Sequence, residues 1–173
     1  MVLLSQNFQN GQKESLLANR KSLTYTMREL QQLWEDIFMN FIFISPHFPH
    51  TYWEFCNRLR QNGVNVLAIA DAPYDSLCRE LKEALTEYYR VDNLEDYNQV
   101  YRGVAYFAFK YGKIDWLESN NEYWLEQDAR LRTDFNITTG LGFKEISRIK
   151  EKSLMKTCYA KGGIPTARQI KVS

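Results

Sequence analysis

Ser45, His47, Asp71, Glu118, Asn120 and Glu122 each fall at or just past the end of a short apolar run. The runs are NFIFI, VNVLAIA and IDWL, and the polar stretches after them are SPHF, DAP and ESNNE. A hydroxyl, an imidazole, an amide and three carboxylates can together hydrogen-bond a small polar substrate. Glu118 and Glu122 have the makings of a carboxylate pair for a metal or substrate. Each residue also has a plainer reading. His47, flanked by Pro46 and Pro49, suits a loop; Asp71 suits a strand terminus; Glu118 and Glu122 suit an ordinary acidic loop. The choice depends on whether the fold gathers the strand ends.

The elements around them alternate. Residues 40–45 (NFIFIS) form a nearly continuous apolar run, as in a strand buried on both faces. Thr51 and Glu54 match a capping box, and Tyr52, Phe55, Cys56 and Leu59 then share one helical face. Gly63 stands where a left-handed residue ends a helix. Residues 64–70 predict a second strand, and Asp75 caps a helix with Leu77, Leu81, Ala84 and Leu85 inward. Residues 87–91 predict a third strand. A helix over 95–111 turns Tyr97, Val100, Tyr101, Val104, Phe107, Ala108 and Tyr111 inward and stops at Gly112. A fourth strand over 114–117 and a helix over 124–135 complete the pattern. Strands joined by single helices make right-handed crossovers, so the expected fold is α/β: a small doubly wound parallel sheet, Rossmann-like. Ligands of such sheets bind beyond the carboxyl ends of the strands, where the six residues lie.

Several function classes drop out. No GxGxxG follows the first strand and no GxxxxGK[ST] occurs anywhere, which removes the dinucleotide and P-loop fingerprints. A phosphoacceptor receiver needs acidic residues after strand one, where Ser45 stands; Asp92 after strand three meets half the requirement. With 22 basic and 21 acidic residues the net charge is +1, and no basic stripe marks a nucleic-acid partner. Cys56, Cys78 and Cys158 are widely spaced, which predicts reduced thiols and no metal site. No apolar run is long enough to span a bilayer, and no signal-peptide pattern opens the chain, so a cytoplasmic location is expected. The 11 tyrosines fall mostly on helix faces, as packing residues and not as a base-stacking platform.

Residues 1–38 differ in character from the rest of the chain. Residues 5–14 are polar and without period, and only 27–38 carry helical spacing, with Leu30, Leu33, Trp34 and Ile37 on one face. Trp34-Glu35-Asp36 is encoded TGG-GAR-GAY, which accommodates GGAGG, a bacterial ribosome-binding sequence, just upstream of Met39. Two readings stand: a translated leader before a start at Met39, or a short helical extension packed on the domain. Peptides from residues 1–38 in native cells would remove the first.

Residues 150–173, KEKSLMKTCYAKGGIPTARQIKVS, resemble the segment that joins the N-terminal domain of ATP-grasp enzymes to their ATP-binding fold. In that family a helix carries a lysine, often followed by a Met-Lys pair, and a Gly-Ile/Val-Pro turn leads into a strand. The matching residues here are Lys152, Met155-Lys156, Gly163-Ile164-Pro165 and 166–172. Together with NFIFISPHFP and IDWLESNNEYWLEQDARLRTDFNI, they resemble bacterial ATP-grasp proteins similar to the carbamoyl-phosphate synthase large chain and biotin carboxylase. The resemblance covers residues 39–173.

The resemblance implies a pre-ATP-grasp domain over 39–142 and the start of the ATP-grasp region over 143–173. It implies that Lys152 contacts ATP phosphate, a role suited to a mobile ammonium. From the residues alone, Lys150, Lys152 and Lys156 also read as one solvated helix face. Family members activate a carboxylate with ATP and Mg²⁺ through an acyl-phosphate, which an amine or another nucleophile captures. The second lysine, glycine-rich loop and Mg²⁺ ligands of that machinery would lie beyond Ser173. The chain alone is therefore expected to be inactive and to bind no ATP tightly, its small-molecule substrate belonging to the intact enzyme. Ile146, Ile149, Leu154, Met155 and Ile170 are expected to lack partners, so that the tail is either mobile or dimerises through its exposed apolar face. The rival reading is a stand-alone α/β binding or interaction module without catalysis.

Overall fold

A computed structural model describes residues 39–168 and residue 170. Both readings of residues 1–38, and the helical face over 27–38, lie outside the described residues. Strands β1 (Asn40–Ile44), β2 (Asn65–Ala70), β3 (Glu87–Arg90) and β4 (Trp116–Glu118) form one sheet in the order β3-β2-β1-β4. Every neighbouring pair is parallel; Phe43 of β1 lies between Ala68 of β2 and Glu118 of β4.

The sheet is covered on both sides, which is why β1 and β2 are apolar without alternation. On one face Phe43, Val66 and Ala68 meet Cys56 of α1 (Trp53–Gln61) and Leu81 and Ala84 of α2 (Arg79–Ala84). On the other, Ile42, Ile44, Leu67 and Ile69 meet Val100, Val104 and Phe107 of α3 (Tyr97–Tyr111) and Leu131 of α4 (Leu125–Asp134). The doubly wound α/β architecture is thus as the sequence predicts. Two further helices come after it, α5 (Ser147–Lys150) and α6 (Lys152–Lys161). Among the described residues no helix is long and apolar enough to cross a membrane.

Local starts and stops differ from expectation where packing overrides them. Residues 50–52 already form a 3-10 turn that runs into α1, so Thr51 makes no capping box. Asp75 lies inside another 3-10 turn, and α2 begins only at Arg79 because the chain first inserts Leu77 into the core. The cap of α3 is Asp96, whose carboxylate accepts from Asn98 N at 3.0 Å. On α3, Tyr101 points outward and Gly103 takes the inward place. β4 sits one to two residues later than expected. Gly63 and Gly112 have φ of +78° and +80°, in keeping with their helix-ending roles. Asn40, unremarked in the sequence, is buried at the start of β1 and donates to the Tyr111 and Lys113 carbonyls, both at 2.9 Å.

Glu87 fastens α3 to the amino end of β3. Its carboxylate accepts from Tyr106 Oη at 2.8 Å, Tyr111 Oη at 2.6 Å and Lys110 Nζ at 2.9 Å. Burial alone would raise this carboxyl, but the three donors and the Lys110 charge together hold it below the ordinary range. A depressed carboxyl stabilises the fold above its unfolded value of 4.5, and the contribution disappears as pH falls through the folded value. Glu87→Gln should therefore flatten part of the acid limb of the stability curve, read from urea midpoints at neutral and acidic pH. Identical acid limbs would show that the clamp adds nothing.

Candidate functional site

From β1 the chain winds outward to β2 and β3, then returns to place β4 on the other side of β1. The order reverses between β1 and β4, and a crevice at their carboxyl ends is where such folds take ligands. Two non-glycine residues there have left-handed backbones, Ser45 with φ 56° and Asn120 with φ 55°. Such conformations cost on the order of 1–3 kcal/mol and persist only where neighbours enforce them. Ser45 is buried, with its N–H donating to Ile69 O at 2.9 Å. Asn120 is held by Tyr52, whose hydroxyl donates to the Asn120 carbonyl at 2.6 Å while its ring packs on Phe43 and Phe55. Tyr52 thus ties α1 to the loop after β4. The sequence showed it only as a helix-face aromatic, and nothing in its spacing signals the tie.

Past β4, Glu118, Asn120 and Glu122 line an open groove of about 480 Å³ with Lys152, the first residue of α6. Leu125, Ile149 and Met155 supply an apolar wall. Four of the seven expected site residues are therefore gathered in one place. Ser45, His47 and Asp71 do not line the groove. The turn after Ser45 carries His47 toward β2, where its Nε2 lies 3.5 Å from Asp71 Oδ1. Burial lowers the His47 pKa, the Asp71 charge opposes that, and His50 adds to the lowering. A ring held neutral at that distance makes a weak polar contact, not an ion pair. His47 Nδ1 is buried without a partner among the described residues.

The three lysines near the start of α6 are not equivalent. Lys150 Nζ is 3.1 Å from Glu126 Oε2, and Lys156 Nζ donates to Ala167 O at 2.7 Å. Lys152 is exposed at the groove and has no hydrogen-bond or ion-pair partner among the described residues. Beyond Gly163, with φ 71°, residues 164–168 are irregular, so the strand expected over 166–172 does not form among its described residues. Ile146 is also a correction: it is 2% exposed, at the amino end of α5, whereas Ile149, Leu154 and Ile170 are exposed as expected. Met155 is half-buried in the groove wall.

Under the groove lies a polar network that the sequence pattern did not reveal. Ser119, Asp128 and Arg132 are all buried. Ser119 donates to Asp128 Oδ2 through N at 3.0 Å and Oγ at 2.5 Å. Arg132 Nη1 donates to Leu117 O at 2.8 Å and to Glu118 Oε2 at 3.2 Å, while Nε donates to Leu141 O at 3.0 Å. The available signal was spacing: Asp128 and Arg132 are four apart on the face of α4 that also presents Ala129 and Leu131. Among the described residues no three His, Cys, Asp or Glu side chains gather to hold a metal ion.

No protein-family model matches the chain, and no curated protein matches it. A solved structure similar to it is an L-amino acid ligase from Bacillus licheniformis, with a TM-score of 0.52 and 18% identity. The likeness covers 75% of this chain and 31% of the ligase chain, so this chain spans about a third of that protein's length. At such identity the likeness is one of fold.

Proposed function

We propose that this chain is the front, substrate-facing part of an ATP-dependent ligase of the ATP-grasp type. The observation that carries the reading is the Lys152 ammonium, without a partner among the described residues and in one groove with Glu118, Asn120 and Glu122 at the switch point of the sheet. An ammonium free to move suits a phosphate oxygen, and carboxylates opposite it suit a substrate ammonium. The fold likeness to an L-amino acid ligase favours an amino acid as the substrate class. ATP would supply the phosphoryl group that activates the substrate carboxylate. In this chain Lys152 would neutralise phosphate charge, Glu118 and Glu122 would hold the amine, and Leu125, Ile149 and Met155 would exclude water from one side. No Mg²⁺ cage is assigned to the described residues, which contribute a phosphate contact and substrate positioning.

Two measurements test the reading. Calorimetry of the 173-residue chain with Mg-ATP should show no tight binding, and a tight isotherm would contradict the proposed division of labour. The codons beyond Ser173 should encode the remaining ATP-binding strands, and the protein they complete should release phosphate from ATP only when an amino acid is present. Lys152→Ala in that protein should lower turnover by roughly 10²-fold or more, the scale of losing one charge-stabilising donor. Absence of downstream ATP-binding strands together with no phosphate release would sink the proposal.

A further inference from the structure

Glu118 and Asp128 converge on one donor. The Ser119 N–H points to Asp128 Oδ2 at 3.0 Å and to Glu118 Oε1 at 3.3 Å, so two carboxylates share a single backbone hydrogen. One cation serves them, and it is unevenly placed: Arg132 Nη1 pairs with Glu118 Oε2 at 3.2 Å and makes no hydrogen bond to Asp128. Two carboxylates with one guanidinium leave one negative charge in excess, and on the fully buried Asp128 water cannot repay it. Asp128 is 0% exposed, and its Oδ1 is buried with no partner among the described residues. An ionised oxygen without a donor is far costlier there than a neutral hydroxyl.

We infer that Glu118 and Asp128 work as one carboxylate pair holding a single proton beneath the groove, with Asp128 the positioning residue that keeps it and Glu118 the member that faces the ligand space. The charged groups facing Asp128 are Glu118 from the end of β4 and Arg132 from its own helix, while the loop after α4 contributes the Leu141 carbonyl to Arg132. Burial first, and then the Glu118 charge, raise the Asp128 carboxyl; Ser119 and Arg132 only partly offset them. When Asp128 gives up its O–H proton to water, its new charge competes with Glu118 for the shared Ser119 N–H and repels the Glu118 carboxylate. The pair thereby makes the position of a groove carboxylate depend on pH. It does so whatever ligand the groove takes, so the inference stands apart from the ligase reading. Folded Asp128 keeps its proton above the unfolded value of 3.8, so its contribution to stability weakens as pH rises through that window.

Carboxyl-carbon and amide NMR of the full chain, from about pH 4 to about pH 9, tests this. The Asp128 carboxyl carbon should titrate with a midpoint of about 7, and the Ser119 amide should move with it. Glu118→Gln should lower that midpoint by roughly one pH unit by removing the like charge. Asp128→Asn, which can still accept from Ser119, should abolish the Ser119 step. An Asp128 midpoint in the ordinary carboxylate range, or one unmoved by Glu118→Gln, overturns the inference. If Asp128→Asn does not fold, the Glu118→Gln comparison decides by itself.

Discussion

Arg132→Ala should cost the fold about 3–5 kcal/mol, the scale of removing a buried charged group that holds several acceptors. Total stabilities of such domains are about 5–15 kcal/mol, so the variant would stand near the edge of folding. The size follows from what the guanidinium holds. It is 2% exposed, and its donors satisfy the Leu117 carbonyl within β4, the Leu141 carbonyl beyond α4, and one oxygen of Glu118. Alanine would leave all three acceptors short of a partner and open a void beneath the groove. The loop after α4 is built around this side chain: Gly140 has φ 91°, and a Cβ there would lie 3.2 Å from Arg132 Nε. Arg132→Lys should recover only part of the loss, because an ammonium keeps the charge but cannot reproduce the planar fork. Urea unfolding of the three proteins measures the series. A loss below about 1 kcal/mol for Arg132→Ala, the scale of a surface pair, would mean that the network is ornamental to the fold.

The layers were legible because they follow from patterning that few other folds produce. NFIFI and VNVLAIA are apolar at every position that meets a helix layer, and one-helix connections leave a parallel sheet as the natural outcome. Caps were not legible to the same degree. A Thr-x-x-Glu or an early Asp marks where a helix is allowed to start, whereas burial of Leu77 and the 3-10 turn at His50–Tyr52 decide where it does start. Tyr101 failed for a similar reason: α3 docks through the side of Gly103, which rotates Tyr101 outward. At the candidate site, the strand-end rule found Glu118, Asn120 and Glu122 but could not separate them from His47 and Asp71. That separation depends on strand order, since β2 and β4 lie on opposite sides of β1. The buried pair Asp128 and Arg132 was hidden by chemistry. Charged residues on an amphipathic helix read as solvated until the acceptors of β4 are seen above them.

Phe107→Ala should cost about 3–5 kcal/mol, as for other large aromatic truncations in a core. The ring is 0% exposed and lies against Tyr89, Tyr106 and Tyr111 at centroid distances of 6.1, 5.5 and 6.2 Å. Collapse into the void is blocked by how close α3 already sits to the sheet. A Cβ placed on Gly103 would meet Ile69 Cδ1 and Tyr89 Cδ1 at 3.0 Å each, so the helix cannot settle further inward. The control lies two residues along the same helix. Phe109 is 93% exposed, and Phe109→Ala should change stability by no more than about 0.5 kcal/mol. Both variants trade phenylalanine for alanine within α3, so intrinsic helix preference is common to them and the difference isolates packing. Urea midpoints with unchanged slopes give that difference directly. Equal losses for the two would mean that α3 is docked through some other face. The two-layer core around Ile42, Leu67 and Val104 would then have to be redrawn.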